Sequence, residues 1–187
     1  MAFYTVDSFR QRGLVGAGTR RGAEQHLSKS IQASAFDHFD VFLSHSFLDA
    51  EVVYGVVRVL ESQGLSVYVD WIVDRQLSRE NVSSNTAGIL RSRMRQCNSL
   101  IFAVSDGSPA SKWMPWELGY FDGMRGDRIA IMPLVSHAGA TGFPGQEYLG
   151  LYPAVEADQF GSPKLSRQDG GVVASAGMSF AGWAKSR

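Results

Sequence analysis

The stretch that decides the fold is residues 39–69, FDVFLSHSFLDAEVVYGVVRVLESQGLSVYV. Residues 39–44 form an apolar run that ends in a polar turn, a pattern typical of a buried strand. From Asp49 to Gln63 the apolar residues recur at helical spacing, and Gly64 follows where a helix C-terminal glycine belongs. Residues 65–69 predict a second strand. Strand, helix and strand in this order predict two parallel strands joined by a helical crossover.

The same alternation continues toward the C-terminus. Helical patterns cover residues 86–97 and 111–124, and strand patterns cover residues 99–104, 128–135 and 152–156. The sequence therefore predicts an α/β fold with a five-stranded parallel sheet and helices on both faces. Pro153 favours an edge position for the fifth strand, because proline cannot donate a ladder hydrogen bond. At most a short helix is expected within residues 139–150.

Candidate ligand-binding residues follow three of the predicted strands at their carboxyl ends, where ligands of such folds bind. They are Ser44, His45 and Ser46 after the first strand, Asp70 and Trp71 after the second, and Ser105 after the third. The turn after the first strand could bind a phosphate through its backbone N–H groups. The alternative is that Ser46 or Asp49 only caps the helix that follows.

The helix predicted over residues 111–124 contains a candidate acid, Glu117. Pro115 fits the first turn, where its missing donor costs nothing. If the helix begins at Trp113, this indole and Glu117 are four residues apart and share a face. A carboxylate beside an indole at this edge is partly desolvated and could act on a substrate. The alternatives are a solvated or capping glutamate and a tryptophan that packs in the core.

Composition and missing motifs exclude several classes of protein. The chain has 187 residues with 18 basic and 18 acidic side chains, whereas a dedicated nucleic-acid binder would show a basic excess. No apolar run approaches the ~20 residues of a membrane span, and the N-terminus lacks the order of a signal peptide, so a cytoplasmic location is expected. Neither the single Cys97 nor the spacing of the four histidines suggests a metal site. The phosphate loop, the dinucleotide-binding glycine motif and the nucleophile elbow are also missing.

Four segments, in order and at the right spacing, resemble a TIR (Toll/interleukin-1 receptor) domain of the bacterial kind. They are DVFLSHS at 40–46, SVYVD at 66–70, SLIFAVS at 99–105 and WMPWE at 113–117. The resemblance covers roughly residues 37–157 and implies a flavodoxin-like sheet with strand order 2-1-3-4-5. Receptor and adaptor TIR domains usually carry a Pro-Gly pair in the loop after the second strand. Residues 70–84 contain neither residue, which argues against that branch.

The resemblance also implies an enzyme that cleaves NAD⁺. Similar TIR domains have a WxxxE motif whose glutamate is catalytic, which here is Glu117 with Trp113 as the motif tryptophan. The expected substrate is NAD⁺ itself, with no other cofactor. The loop over residues 70–84 is expected to contact a neighbouring TIR domain. The family further implies antiphage defence, in which the nucleotide product activates a separate protein.

A single carboxylate suits this chemistry. Nicotinamide leaves as a neutral molecule, and the ribose becomes oxocarbenium-like, a charge that a carboxylate can stabilise. Attack by water gives ADP-ribose, and attack by a group of the adenine or its ribose gives a cyclic ADP-ribose; the sequence leaves both open. Trp113 or Phe47 could stack on nicotinamide, and Arg75 could contact a phosphate. The candidate substrate-binding residues are Trp113, Ser44, His45, Ser46, Phe47, Asp70, Trp71, Arg75 and Ser105.

Two alternative functions remain at this point. One is a non-enzymatic TIR scaffold that acts by self-assembly alone. The other is a nucleoside deoxyribosyltransferase-like enzyme, whose glutamate attacks the ribose of free nucleosides. The Trp-x-x-x-Glu motif fits the TIR interpretation better.

Charge divides the chain into three parts. Residues 37–160, the predicted TIR domain, carry a net charge of −6, whereas residues 1–36 and 161–187 each carry +3. We predict a partly helical N-terminal extension, with a helix over residues 23–35, and a Gly/Ser-rich tail. The tail is expected to be loosely held unless it docks on something. Both basic flanks are candidates for contact with acidic surfaces of this domain or of a neighbouring copy.

Overall fold

A mostly parallel sheet lies at the centre of the structure, a computed structural model that describes residues 2–29, 37–46, 49–69, 83–106, 108, 111–140, 142–143, 145–166 and 178–186. The strands in the described part of the chain are β1 (Tyr4–Thr5), β2 (Phe39–His45), β3 (Val67–Val69), β4 (Cys97–Val104), β5 (Ile129–Val135), β6 (Ala154–Ala157) and β7 (Pro163–Ser166). The helices there are α1 (Val6–Ala17), α2 (Arg20–Lys29), α3 (Ala50–Ser62), α4 (Ser84–Arg95), α5 (Trp113–Arg125) and α6 (Phe180–Lys185). Short 3₁₀ helices cover Gly126–Arg128 and Glu147–Leu151.

The strand order is β3-β2-β4-β5-β6-β7, and β2 to β6 pair in parallel. The predicted order 2-1-3-4-5 is confirmed for these five strands. The sheet is larger than predicted, because β1 pairs with the end of β5 and β7 pairs antiparallel with β6. The edge position predicted for the fifth strand is therefore wrong. Pro153 precedes β6 and contributes only its carbonyl, which accepts a bond from the Ile131 N–H at 2.9 Å.

Strand alternation sends side chains to two cores, one on each face of the sheet. Val41 and Leu43 of β2 face the core formed with α1, α2, α3 and α6. Phe42 faces the other core, formed with α4, α5 and the Glu147–Leu151 helix. Ser44 lies two residues after Phe42, so its side chain points to the α5 face. Gly64 has a φ of +72°, as expected for a glycine that ends α3.

The N-terminal helices and the C-terminal segment both pack on the part of the chain predicted as the TIR domain. The helix predicted over residues 23–35 begins earlier, at Arg20, and a further helix, α1, precedes it. Arg10 of α1 pairs with Asp49 at 3.1 Å, so part of the basic N-terminal flank contacts its own domain. The tail docks as well, because β7 joins the sheet and Phe180 and Trp183 of α6 are buried. In the part of the chain that the structure describes, no helix has the length and apolar content needed to cross a membrane.

Two glycines let α1 and α3 cross closely. A Cβ added to Gly55 would lie 2.0 Å from the Phe9 carbonyl oxygen, and one added to Gly13 would lie 1.9 Å from that of Glu51. Real Cβ atoms do not approach backbone this closely, so the helices would have to separate. Glycine normally disfavours a helix, and the close approach explains why it is found here.

Gly55→Ala is therefore expected to lower the free energy of unfolding by about 1–3 kcal/mol, because overpacking exceeds the gain in helix propensity. Gly88→Ala is the matched control, since Gly88 is an exposed glycine of α4 whose added Cβ meets nothing within 4 Å. That variant is expected to gain about 0.5–1 kcal/mol. Urea unfolding of both variants measures the difference. Equal effects at the two positions would contradict the close helix crossing.

Candidate active site

The catalytic candidate, Glu117, lies one turn into α5. The helix begins at Trp113, and the Met114 N–H donates to the Ser111 hydroxyl at 3.3 Å at its start. Pro115 falls in the first turn, where no intrahelical donor is needed. Trp113 and Glu117 consequently share the face of α5 that packs on the sheet, with exposed fractions of 7% and 4%. This burial excludes a solvated glutamate.

The buried carboxylate meets a serine from the end of β2. The Ser44 hydroxyl donates to Oε2 of Glu117 at 2.5 Å, and Ser44 is only 1% exposed. A short O–H bond to a carboxylate is of the strong, charge-assisted kind. The bond joins residues 73 positions apart in the chain. It brings together two of the predicted site residues at the carboxyl edge of the sheet.

His45 and Ser46 complete the end of β2, and both are buried. Nδ1 of His45 lies 2.7 Å from the Ser46 carbonyl oxygen, so this nitrogen is the donor. The prediction that the side chain of Ser46 or Asp49 caps α3 is wrong. Asp49 occupies the N-cap position of α3, but its side chain makes no capping bond and instead accepts a hydrogen bond from Arg10. Ser46 faces a different partner, the Ser108 hydroxyl, at 3.4 Å.

A residue that the sequence reasoning missed, Ser108, links the ends of β2 and β4. Its hydroxyl accepts a bond from the Ser105 N–H at 2.8 Å and lies 3.4 Å from the Ser105 hydroxyl. We call Ser46, Ser105 and Ser108 the serine cluster; all three are buried. The available signal was the Ser-x-x-Ser spacing after the third strand, which is typical of a turn closed by a side-chain hydroxyl.

A small cleft with a volume of about 30 Å³ lies beside the serine cluster. Its apolar wall includes Phe102 and Val104 of β4 and Pro115 of α5, and Ser108 supplies a hydroxyl. The cleft has room for roughly two water molecules next to Ser108, at the carboxyl edge of the sheet.

The two tryptophans of the WMPWE segment have different surroundings. Trp113 belongs to the core on the α5 face, as the packing alternative predicted, and its ring meets Trp116 edge-on at 5.4 Å. Its Nε1 has no hydrogen-bond partner among the residues described. Trp116 is half-buried, stacks with Tyr120 at 5.8 Å and has the Arg91 guanidinium 5.3 Å from its ring centre. Trp116 therefore joins α4 to α5.

Four predicted site residues lie outside the described part of the chain. They are Phe47, Asp70, Trp71 and Arg75. Most of the loop over residues 70–84 lies outside it too. The role of the four residues in substrate binding and the role of the loop in self-association stay predictions.

No family model matches this chain. Two bacterial proteins are among the known proteins that are similar to it. One is named as a probable 3′ cyclic ADP-D-ribose synthase, ThsB′, of Bacillus cereus (strain MSX-D12). It is 50% identical over 139 residues, which cover 71% of this chain and 72% of that protein. The other, TIR2 of Cytobacillus dafuensis, is named as a candidate cyclic ADP-D-ribose synthase. It is 36% identical over 83 residues, which cover 44% of this chain and 22% of that protein. Given this identity and the observed strand order, the chain belongs to the bacterial TIR-domain family that includes ThsB′.

Proposed function

We propose that this chain cleaves the bond between nicotinamide and ribose in NAD⁺ and closes the remaining ADP-ribosyl group into a cyclic ADP-D-ribose that acts as a signal in antiphage defence. The observation that carries the proposal is the buried Glu117 carboxylate, which the Ser44 hydroxyl meets at the carboxyl edge of β2. Both relatives are named for synthesis of a cyclic ADP-D-ribose, which favours ring closure over hydrolysis.

The reaction needs one carboxylate and no general acid for the leaving group. When the glycosidic bond breaks, its electron pair goes to the ring nitrogen of nicotinamide, which departs neutral. Positive charge develops on the ribose, and the Glu117 carboxylate stabilises it. A nucleophilic group in the adenosine half of the same molecule then forms the new bond. Where that group is a hydroxyl, Glu117 can accept its proton.

NAD⁺ is the substrate in this proposal, and no other cofactor takes part. The predicted TIR domain is acidic overall, so the diphosphate must be bound by local groups rather than by the overall field. The Ser46 hydroxyl and Arg75 are candidates for that contact. We further propose a cytoplasmic location, self-association through the loop over residues 70–84, and a separate effector that responds to the product.

Incubation of the full chain with NAD⁺, followed by mass spectrometry, tests the proposal. The expected products are free nicotinamide and a nucleotide lighter than ADP-ribose by one water. ADP-ribose as the sole nucleotide product would contradict ring closure. NAD⁺ that stays intact at concentrations where the chain self-associates would contradict the whole proposal.

A further inference from the structure

We propose that Ser44 is a positioning residue for Glu117 rather than a ligand of the substrate diphosphate. A serine hydroxyl has one hydrogen to donate, and here that hydrogen is directed at Oε2 of Glu117. The same hydrogen is not available to a phosphate oxygen. This inference rests on the proposed function, because it assigns Ser44 its role through the catalytic carboxylate.

The sheet sets the place of the Ser44 hydroxyl. β2 has β3 on one side and β4 on the other, with Leu43 opposite Val69 and Ser44 opposite Phe102. A residue in an interior strand has its backbone held from both sides, unlike a residue on a loop. A side chain on such an element holds a site group more accurately than one on a loop. Ser44, which is paired with β4, thereby ties the helix that carries Glu117 to an interior strand of the sheet.

Burial makes this bond hard to replace. Ser44 is 1% exposed and Glu117 is 4% exposed, so water has little access to take over the lost donor. A glutamate side chain has three rotatable bonds, and an anchored Oε2 restricts them. The Ser44 bond therefore holds the Glu117 carboxylate in one orientation. Misorientation of a reacting group lowers the rate of the chemical step more than it weakens substrate binding.

Steady-state kinetics of Ser44→Ala and Ser44→Thr test this role. We expect Ser44→Ala to lower kcat by about 10–100-fold, the range known for hydrogen bonds that orient the ligands of metal sites, with KM changed by less than about twofold. Ser44→Thr keeps a hydroxyl on a strand that tolerates β-branching, and we expect it to recover most of kcat. A raised KM with unchanged kcat in Ser44→Ala would assign Ser44 to substrate binding and overturn the inference.

Ser99→Ala is the matched control. Ser99 is a fully buried serine of the neighbouring strand β4, and its hydroxyl donates to the Asp40 carbonyl at 2.8 Å near the amino end of the sheet. Its replacement removes the hydrogen bond of another buried serine, one that lies far along the sheet from Glu117. We expect a lower stability but an unchanged kcat. An equal loss of kcat in Ser99→Ala would show that any buried serine of the sheet has this effect, and would overturn the inference.

Crystal structures of the wild-type and Ser44→Ala chains give a readout that needs no NAD⁺. We expect the Glu117 side chain to leave its wild-type rotamer, or to occupy several, when the hydroxyl is removed. An unchanged single rotamer in Ser44→Ala would overturn the inference even if the chain cleaves NAD⁺. If the wild-type chain leaves NAD⁺ intact, the proposed function fails, and the Glu117 rotamers still decide whether Ser44 positions this carboxylate.

Discussion

Glu117→Gln is expected to lower kcat for NAD⁺ cleavage by about 10²–10³-fold, because the amide cannot supply the negative charge that stabilises the ribosyl cation. Glutamine has the same shape as glutamate, and its carbonyl oxygen can still accept the Ser44 hydrogen bond. The fold should therefore persist in this buried site, 4% exposed in the wild type. Nicotinamide release measures the rate, and circular dichroism during thermal unfolding checks the fold.

Glu147→Gln is the control for this variant. Glu147 is an exposed glutamate at the start of a 3₁₀ helix, and we expect its replacement to leave kcat within about twofold. A Glu117→Gln chain that cleaves NAD⁺ at the wild-type rate would contradict the assignment of Glu117. Comparison of Glu117→Gln with Glu147→Gln also distinguishes an enzyme from a non-enzymatic TIR scaffold. An enzyme should lose NAD⁺ cleavage while it still self-associates, whereas a scaffold should show no difference between the variants.

Trp183→Ala is expected to reduce the free energy of unfolding by about 3–5 kcal/mol, the usual cost of truncating a buried tryptophan. Trp183 is 3% exposed and packs with Phe180 in the core shared with α1 and α3. Its Nε1 donates to the Asp127 carbonyl at 3.3 Å, so the truncation also removes a hydrogen bond to the turn before β5. Urea unfolding monitored by circular dichroism measures the loss.

Lys185→Ala is the control for Trp183→Ala, because it changes an exposed residue of the same helix and leaves the core side chains in place. Lys185 is an exposed residue of α6, and its replacement should change stability by no more than about 0.5 kcal/mol. Equal effects of the two substitutions would mean that α6 is not docked through Trp183. A large loss in Trp183→Ala alone would show that the C-terminal segment is part of the stable core.

The central elements could be predicted because their signals are local. The apolar run at residues 39–44 and the helical spacing after Asp49 became β2 and α3 within a few residues of their predicted bounds. Pro115 correctly indicated a helix that begins near Trp113. Helix α1 was missed because Gly13 and Gly16 weaken its pattern, and only the close approach of α3 explains why they are there. Strand β1 has only two residues, and β7 (PKLS) contains a single aliphatic side chain, so neither gives an apolar pattern.

The sequence by itself determined the parallel strands, the helices between them and the placement of Ser44 and Glu117 near one edge of the sheet, whereas the order of the strands came from the resemblance to TIR domains. Only the tertiary structure decided that the Ser44 hydroxyl meets Glu117, that Ser108 joins the ends of two strands, and that Trp183 is buried. The physical reason is that periodicity records which side of an element faces the core. A hydrogen bond between residues 73 positions apart depends on how closely α5 packs on β2, which is set by all the side chains between them.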